Sequence, residues 1–281
     1  MKDLERKIIY LFVLLALLVP LITGLVLKPV KMDNAGSIYT QIEELKFKKN
    51  EVAFVALDFG PNTKGENEPQ SEVFIEHLML NKIPFVLFSQ YFLAEPFLKE
   101  IPLRVSKKIM KLYPERKLEY GVDWVNLGYQ PGRTQLIQSI PKSDDLRKIF
   151  IKDVRGNKLE NLPIFKNLTN FSQIKLLAQF TGLTGLFDIY VSFFKNKEHQ
   201  PLFFHGCTSI TIPDAYIYLD SKQINGLFEG IAGAAWYSEL LNIDNPGRVP
   251  DSSHIINTML GVAHLVIILL IIFGNIFRRK L

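Results

Sequence analysis

Apolar residues crowd the two ends of the chain, and between those ends they alternate between strand-like and helix-like spacing. From Ile8 to Leu27 the run IIYLFVLLALLVPLITGLVL is uncharged, and so is IINTMLGVAHLVIILLIIFGNIF from Ile255 to Phe277. Each is long enough to cross roughly 30 Å of hydrocarbon as a helix, so transmembrane helices are predicted over 8–27 and 255–277. The first is expected to be an uncleaved anchor, because it is long for a signal peptide and no A-x-A-like site follows it. Pro20 and Gly24 are expected to kink it.

The middle reads as strands broken by helices. EVAFVALD (51–58), IPFVLFSQ (83–90), GVDWVNLGY (121–129), LFDIYVSFF (186–194) and QPLFFHGCTSITI (200–212) have strand character. A helix is predicted from a capping-box-like Asn67 and Gln70, with Pro69 in the first turn, to about Lys82. A second helical region is expected to be broken by Pro96 and Pro102, and a third follows the turn at Pro131 and Gly132. QIKLLAQFTG (173–182) reads as helical, with Gly182 as its C-cap. A last helix is predicted after Asp220 or Ser221, because Ile224, Leu227, Phe228, Ile231, Ala234 and Ala235 form one apolar face at helical period. Gly226, Gly230 and Gly233 within it predict a close backbone approach, either to the sheet or to another subunit.

Strand and helix in alternation imply an α/β fold: a three-layer domain over 51–243 with a mainly parallel sheet covered by helices. Polar stretches at 28–50 and 244–254 are expected to link it to the two spans.

Charge sets the expected topology. Lys2, Arg6 and Lys7 precede the first span and Arg278, Arg279 and Lys280 follow the second. By the positive-inside rule both tails, 1–7 and 278–281, are then cytoplasmic and the α/β domain is extracytoplasmic. The tails hold six of the 33 basic residues and two of the 28 acidic ones, so the remainder is nearly neutral. No basic face for nucleic acid is implied. Cys207 is the only cysteine, which forbids an intrachain disulfide and suits a periplasmic domain on a bacterial inner membrane. The sequons at Asn167 and Asn170 matter only in a glycosylating compartment.

In parallel sheets ligands bind beyond the carboxyl ends of the strands. That rule selects Asp58, Ser89 with Gln90, Gly128 with Tyr129, and the segment around His205. The loop GPNTKG, Gly60 to Gly65, has the glycine spacing of a P-loop. The residues that follow are Glu66 and Asn67, where phosphate and magnesium binding need Lys and then Ser or Thr. Nucleotide is therefore not expected, and the loop start reads as a turn and cap. Asp58 is a candidate catalytic carboxylate or an acceptor of loop amides. His205 and Cys207, at i and i+2, share a strand face, either as a base beside a thiol or as packing. No DxD, HExxH or G-x-S-x-G pattern is present, and neither metal nor cofactor is expected. His264 lies deep in the second span and predicts a hydrogen bond to another helix.

Together these features predict a membrane-anchored scaffold or docking subunit of a larger membrane complex. Its contacts would be lipid, other membrane subunits and further copies of itself, through Gly226, Gly230, Gly233 and His264. The layout is similar to that of accessory subunits of membrane machines. The second expectation is an extracytoplasmic hydrolase or small-ligand receptor that uses the crevice at Asp58, His205 and Cys207.

Overall fold

A computed structural model of the chain describes the backbone of residues 2–278 and the side chains of residues 6–276. Its helices are α1 (Lys2–Thr23), α2 (Asp33–Glu44), α3 (Lys64–Leu80), α4 (Glu95–Leu112), α5 (Arg133–Ser139), α6 (Leu146–Ile149), α7 (Leu186–Phe193), α8 (Ile212–Asp220), α9 (Gly230–Asp244) and α10 (Ser253–Arg278). Its strands are β1 (Val52–Leu57), β2 (Phe85–Ser89), β3 (Trp124–Tyr129), β4 (Ile174–Thr181), β5 (Leu202–Cys207) and β6 (Gly226–Glu229). They form two compact units, one up to Val30 and from Ser252 onward, the other Lys31–Asp251.

In the larger unit the six strands are all parallel, in the order β3-β2-β1-β4-β5-β6. The chain runs outward from β1 to β3, then returns past β1 and runs outward again to β6. One sheet face is covered by α5 to α8 and the 150–171 segment, where Phe54, Phe88, Phe150, Tyr190 and Phe194 pack together. The other carries α2, α3, α4 and α9, and Phe74 of α3 meets Phe180, Phe204 and Phe228. The expected three-layer α/β domain with a parallel sheet is therefore present.

Several expected elements are corrected. Residues 174–181 form β4, and 186–193 form helix α7, the reverse of their sequence reading. The 173–182 stretch is apolar at almost every position because both faces of a central parallel strand are buried, which erases the period-2 signal. In α7, Leu186, Phe187, Tyr190 and Val191 are the buried residues, a helical spacing inside an aromatic stretch that resembles a strand. The predicted last helix is two elements. Gly226 to Glu229 pair with β5, and α9 begins only at Gly230, whose φ of 55° turns the chain.

Helix α3 starts at Lys64 with Thr63 as N-cap, so Asn67 and Pro69 lie inside it. Pro96 sits in the first turn of α4 and Pro102 within that helix, which runs unbroken to Leu112. The stretch expected as the first linker contains α2, which buries Ala35, Ile38, Tyr39 and Ile42. In the expected second linker, Arg248 is 6% exposed and bound inside the domain.

In the smaller unit α1 and α10 pack against each other. Both contain segments long and apolar enough to cross a membrane, Arg6–Thr23 and Ser253–Ile276. Leu27 N donates to Thr258 Oγ1 at 3.0 Å, and the Thr258 hydroxyl donates to His254 O. The side chains of Lys2 and Arg278, and the whole of Arg279 and Lys280, lie outside the described residues.

Candidate functional site at the carboxyl ends of the strands

Asp58 follows β1 at the point where the strand order reverses between β1 and β4. It is completely buried. Its Oδ1 accepts from Gln90 N at 2.7 Å and Ser89 Oγ at 3.0 Å, and its Oδ2 accepts from Gln179 Nε2 at 2.9 Å. The Thr181 hydroxyl donates to Asp58 O at 2.8 Å. One carboxylate thus ties together β1, β2 and β4. Burial raises its pKa, and the bonds from Gln179, Gln90 and Ser89 oppose that rise. The Tyr190 hydroxyl, on α7, is held protonated by burial and by the Asp58 charge beside it. Asp58 has the geometry of a buried tie between strands, the loop-amide acceptor among its two expected roles.

The crevice that strand reversal opens in such sheets is filled here by the chain itself. A Cβ on Gly182 would lie 2.6 Å from Thr208 Cγ2 and 2.7 Å from Thr63 Cγ2, and one on Gly60 would lie 2.8 Å from Tyr91 Cε1. Glu66, in the first turn of α3, accepts from Ser209 N at 3.0 Å and from Ser209 Oγ. Its charge therefore stands where the helix start would otherwise attract a phosphate. One turn on, Gln70 Nε2 donates to Cys207 O at 2.8 Å and Gly230 O at 2.9 Å, and Asn67 Nδ2 to Gly206 O. These polar side chains pin α3 across the ends of β5 and β6.

His205 and Cys207 do lie on one face of β5, toward α7 and α8. His205 stacks on Phe187, with ring centroids 3.8 Å apart and an interplanar angle of 14°. Burial lowers its pKa to about 3, opposed by the Gln179 backbone, so the imidazole is neutral at physiological pH. Burial pushes the Cys207 thiol up to about 12, the opposite of an activated nucleophile. The thiol donates to Phe228 O at 3.5 Å. A small cavity of about 70 Å³ opens beside His205 between α7 and α8. It is lined by Thr181, Phe187, Asp188, His205, Thr211 and Asp214, with the 183–185 loop.

A larger cleft, about 520 Å³, lies at the opposite edge of the sheet, along β3. Leu98, Pro102 and Trp124 form its apolar wall; Glu95, Lys99 and Arg155 stand at its rim. The Arg155 guanidinium lies 3.5 Å over the Tyr120 ring, whose hydroxyl donates to Asp153 Oδ2 at 2.9 Å. Of the selected strand-end residues Gly128 and Tyr129, Gly128 lines this cleft. Gly128 has φ 74°, while Tyr129, Phe92 and Leu93 are exposed beside it.

The three glycines do not form one helix face. Gly226 packs on Ile38, Gly230 on Ser209 and Glu66, and Gly233 against the Phe228 backbone at 3.1 Å. All three are buried within this chain. His264 is exposed on α10. Gln179, Tyr190, Glu66 with Ser209, and Arg248 escaped the sequence reading. For the first two, assigning 174–181 as a strand would have placed Gln179 beside the β1 end. Among the described residues no group of three His, Cys, Asp or Glu side chains is placed to hold a metal ion.

Strand order, exclusively parallel pairing and helices on both faces define a doubly wound α/β protein. It carries no G-x-G-x-x-G turn after β1. No family model, curated protein or solved structure matches the chain.

Proposed function

We propose that this protein is a membrane-anchored docking subunit: two spans hold an extracytoplasmic α/β domain at a bacterial inner membrane, and both tails are cytoplasmic. The observation that carries the reading is His264. It stands near the middle of the Ser253–Ile276 span with its side chain exposed. An imidazole facing hydrocarbon at that depth is costly, and such residues find a polar partner on another helix. Gly261, one turn earlier, has open space where a Cβ would be, which admits a neighbouring helix to that face. The β3 cleft, with Phe92, Leu93 and Tyr129 beside it, adds an apolar surface suited to a protein partner.

The test is gentle detergent extraction of tagged full-length protein, followed by size determination and mass spectrometry of associated chains. A reproducible assembly that dissociates with His264→Leu is expected. A wild-type protein that runs as a lone monomer overturns the reading.

A second reading, a small-ligand receptor, is favoured by the cavity beside His205. Its hydrolase form is less supported, because Cys207 is buried with its thiol pushed up to about 12 and Asp58 is wholly enclosed.

A further inference from the structure

The cavity beside His205 has an unusual wall. His205 is 2% exposed, and its Nδ1 is buried without a hydrogen-bond partner. Such an atom is costly to bury unless something meets it. The neutral imidazole always offers one acceptor nitrogen. Thr181 donates to Asp58 O and accepts from Leu183 N at 3.0 Å, and Thr211 donates to Thr208 O at 3.1 Å, so neither hydroxyl offers the cavity a proton. Asp188 and Asp214 stand exposed at the mouth, and Asp188 Oδ1 already accepts from Tyr218 OH at 2.7 Å. The side chains that line the cavity are thus rich in acceptors.

Two helix starts face the same space, since Gly185 caps α7 and Thr211 caps α8. Each contributes roughly +0.5 of a charge, against a full negative charge on each of the two carboxylates, so the field stays about one charge negative. An anion is disfavoured. A metal ion would need a ligand trio, which the described residues do not supply. A volume of about 70 Å³ suits a head group and no more.

We infer that this cavity binds a primary ammonium group, whose three N–H donors meet His205 and the carboxylates of Asp188 and Asp214. The inference rests on the receptor reading. The source is either a small free amine or a lysine side chain of a partner.

The test uses full-length protein in detergent micelles with ¹⁵N-labelled histidine, read by the His205 ring signals. Methylammonium should shift them saturably, while tetramethylammonium and potassium, which have no N–H donor, should not. Asp188→Asn with Asp214→Asn, both at exposed positions, should weaken methylammonium by at least about tenfold. Tighter binding of Nα-acetyl-lysine amide than of methylammonium assigns the site to a partner's lysine; the reverse assigns it to a free amine. An equal response to tetramethylammonium, or unchanged affinity in the carboxylate variant, overturns the inference. A saturable response to acetate instead would overturn it and leave the receptor reading standing, whereas no response to any probe removes both.

Discussion

Arg248 grips Glu76 through two bonds, Nη2 to Oε2 at 2.6 Å and Nε to Oε1 at 2.9 Å, with 1% and 2% of the side chains exposed. Lys108 Nζ also reaches Glu76 Oε2 at 2.9 Å, and Arg248 reaches Asp251 Oδ2 at 2.6 Å and Asn242 Oδ1 at 2.6 Å. Two cations balance two carboxylates inside the domain. They join α3, α4 and the segment after α9. Arg248→Met would remove the buried cation that Glu76 and Asp251 share, a loss of about 3–5 kcal/mol. Denaturant unfolding should show that loss, with partial recovery when Glu76→Gln is added. A loss below about 1 kcal/mol would mean that the network is open to water.

The pH dependence follows from His205. Its pKa is lowered to about 3 by burial, so between about pH 6.5 and 3 the unfolded chain binds a proton that the folded chain refuses. Stability from this residue is therefore complete above about pH 6.5 and is lost as pH falls, by about 2 kcal/mol at pH 5. His77, also lowered by burial and opposed by Glu43, acts in the same direction. Asp58, raised by burial, acts in the opposite one. The decisive quantity is thus the difference between wild type and His205→Phe, whose stability should fall less between pH 7 and pH 5. Parallel curves would show that His205 is protonated at no cost in the folded state.

Cys207 should be inert while the domain is folded. It is completely buried and its thiol is pushed up to about 12. Iodoacetamide at pH 8 should label the native protein at least about a hundredfold more slowly than protein unfolded in denaturant. Comparable rates would show that β5 opens readily and would return the thiol to consideration as a nucleophile.

Gly128→Ala should damage the β3 cleft. The residue sits at φ 74°, and an added Cβ would lie 2.7 Å from Val154 Cγ1. Left-handed backbone costs a residue with a side chain roughly 1–2 kcal/mol, and Val154 must also move. Thermal unfolding should register that cost. A variant as stable as wild type would show that the 152–158 loop yields freely, and the cleft would then be an adaptable surface.

Much of the architecture was legible along the chain. The two apolar termini, β1 to β3 and the parallel α/β character are consequences of local spacing, as is β5, although the strand read over 200–212 ends at Cys207 and Ile212 begins α8. Asp58 could be selected as a strand-end residue because it directly follows the apolar run of β1, two residues before Gly60. Its role could not, since its partners are Gln179, Ser89 and Gln90, on strands distant in sequence. α3 shows the same limit. Packed between the sheet, α4 and α9, it buries Asn67, Gln70, Glu76 and His77 together with its apolar residues. Its sequence therefore lacks the amphipathic stripe that marks a helix with one face in water.

By itself the sequence determined where apolar segments are long enough to span a bilayer, where turns interrupt the domain, and that a single cysteine leaves it without an internal cross-link. Only the tertiary structure decided that 174–181 is a strand and 186–193 a helix, that α2 and Arg248 belong to the domain, and that His205 faces a cavity with Asp188 and Asp214. The reason is physical. Local periodicity reports which side of an element meets water, and elements buried on all sides carry no such record. The neighbours of a polar group are set by strand order, which no short stretch of sequence encodes.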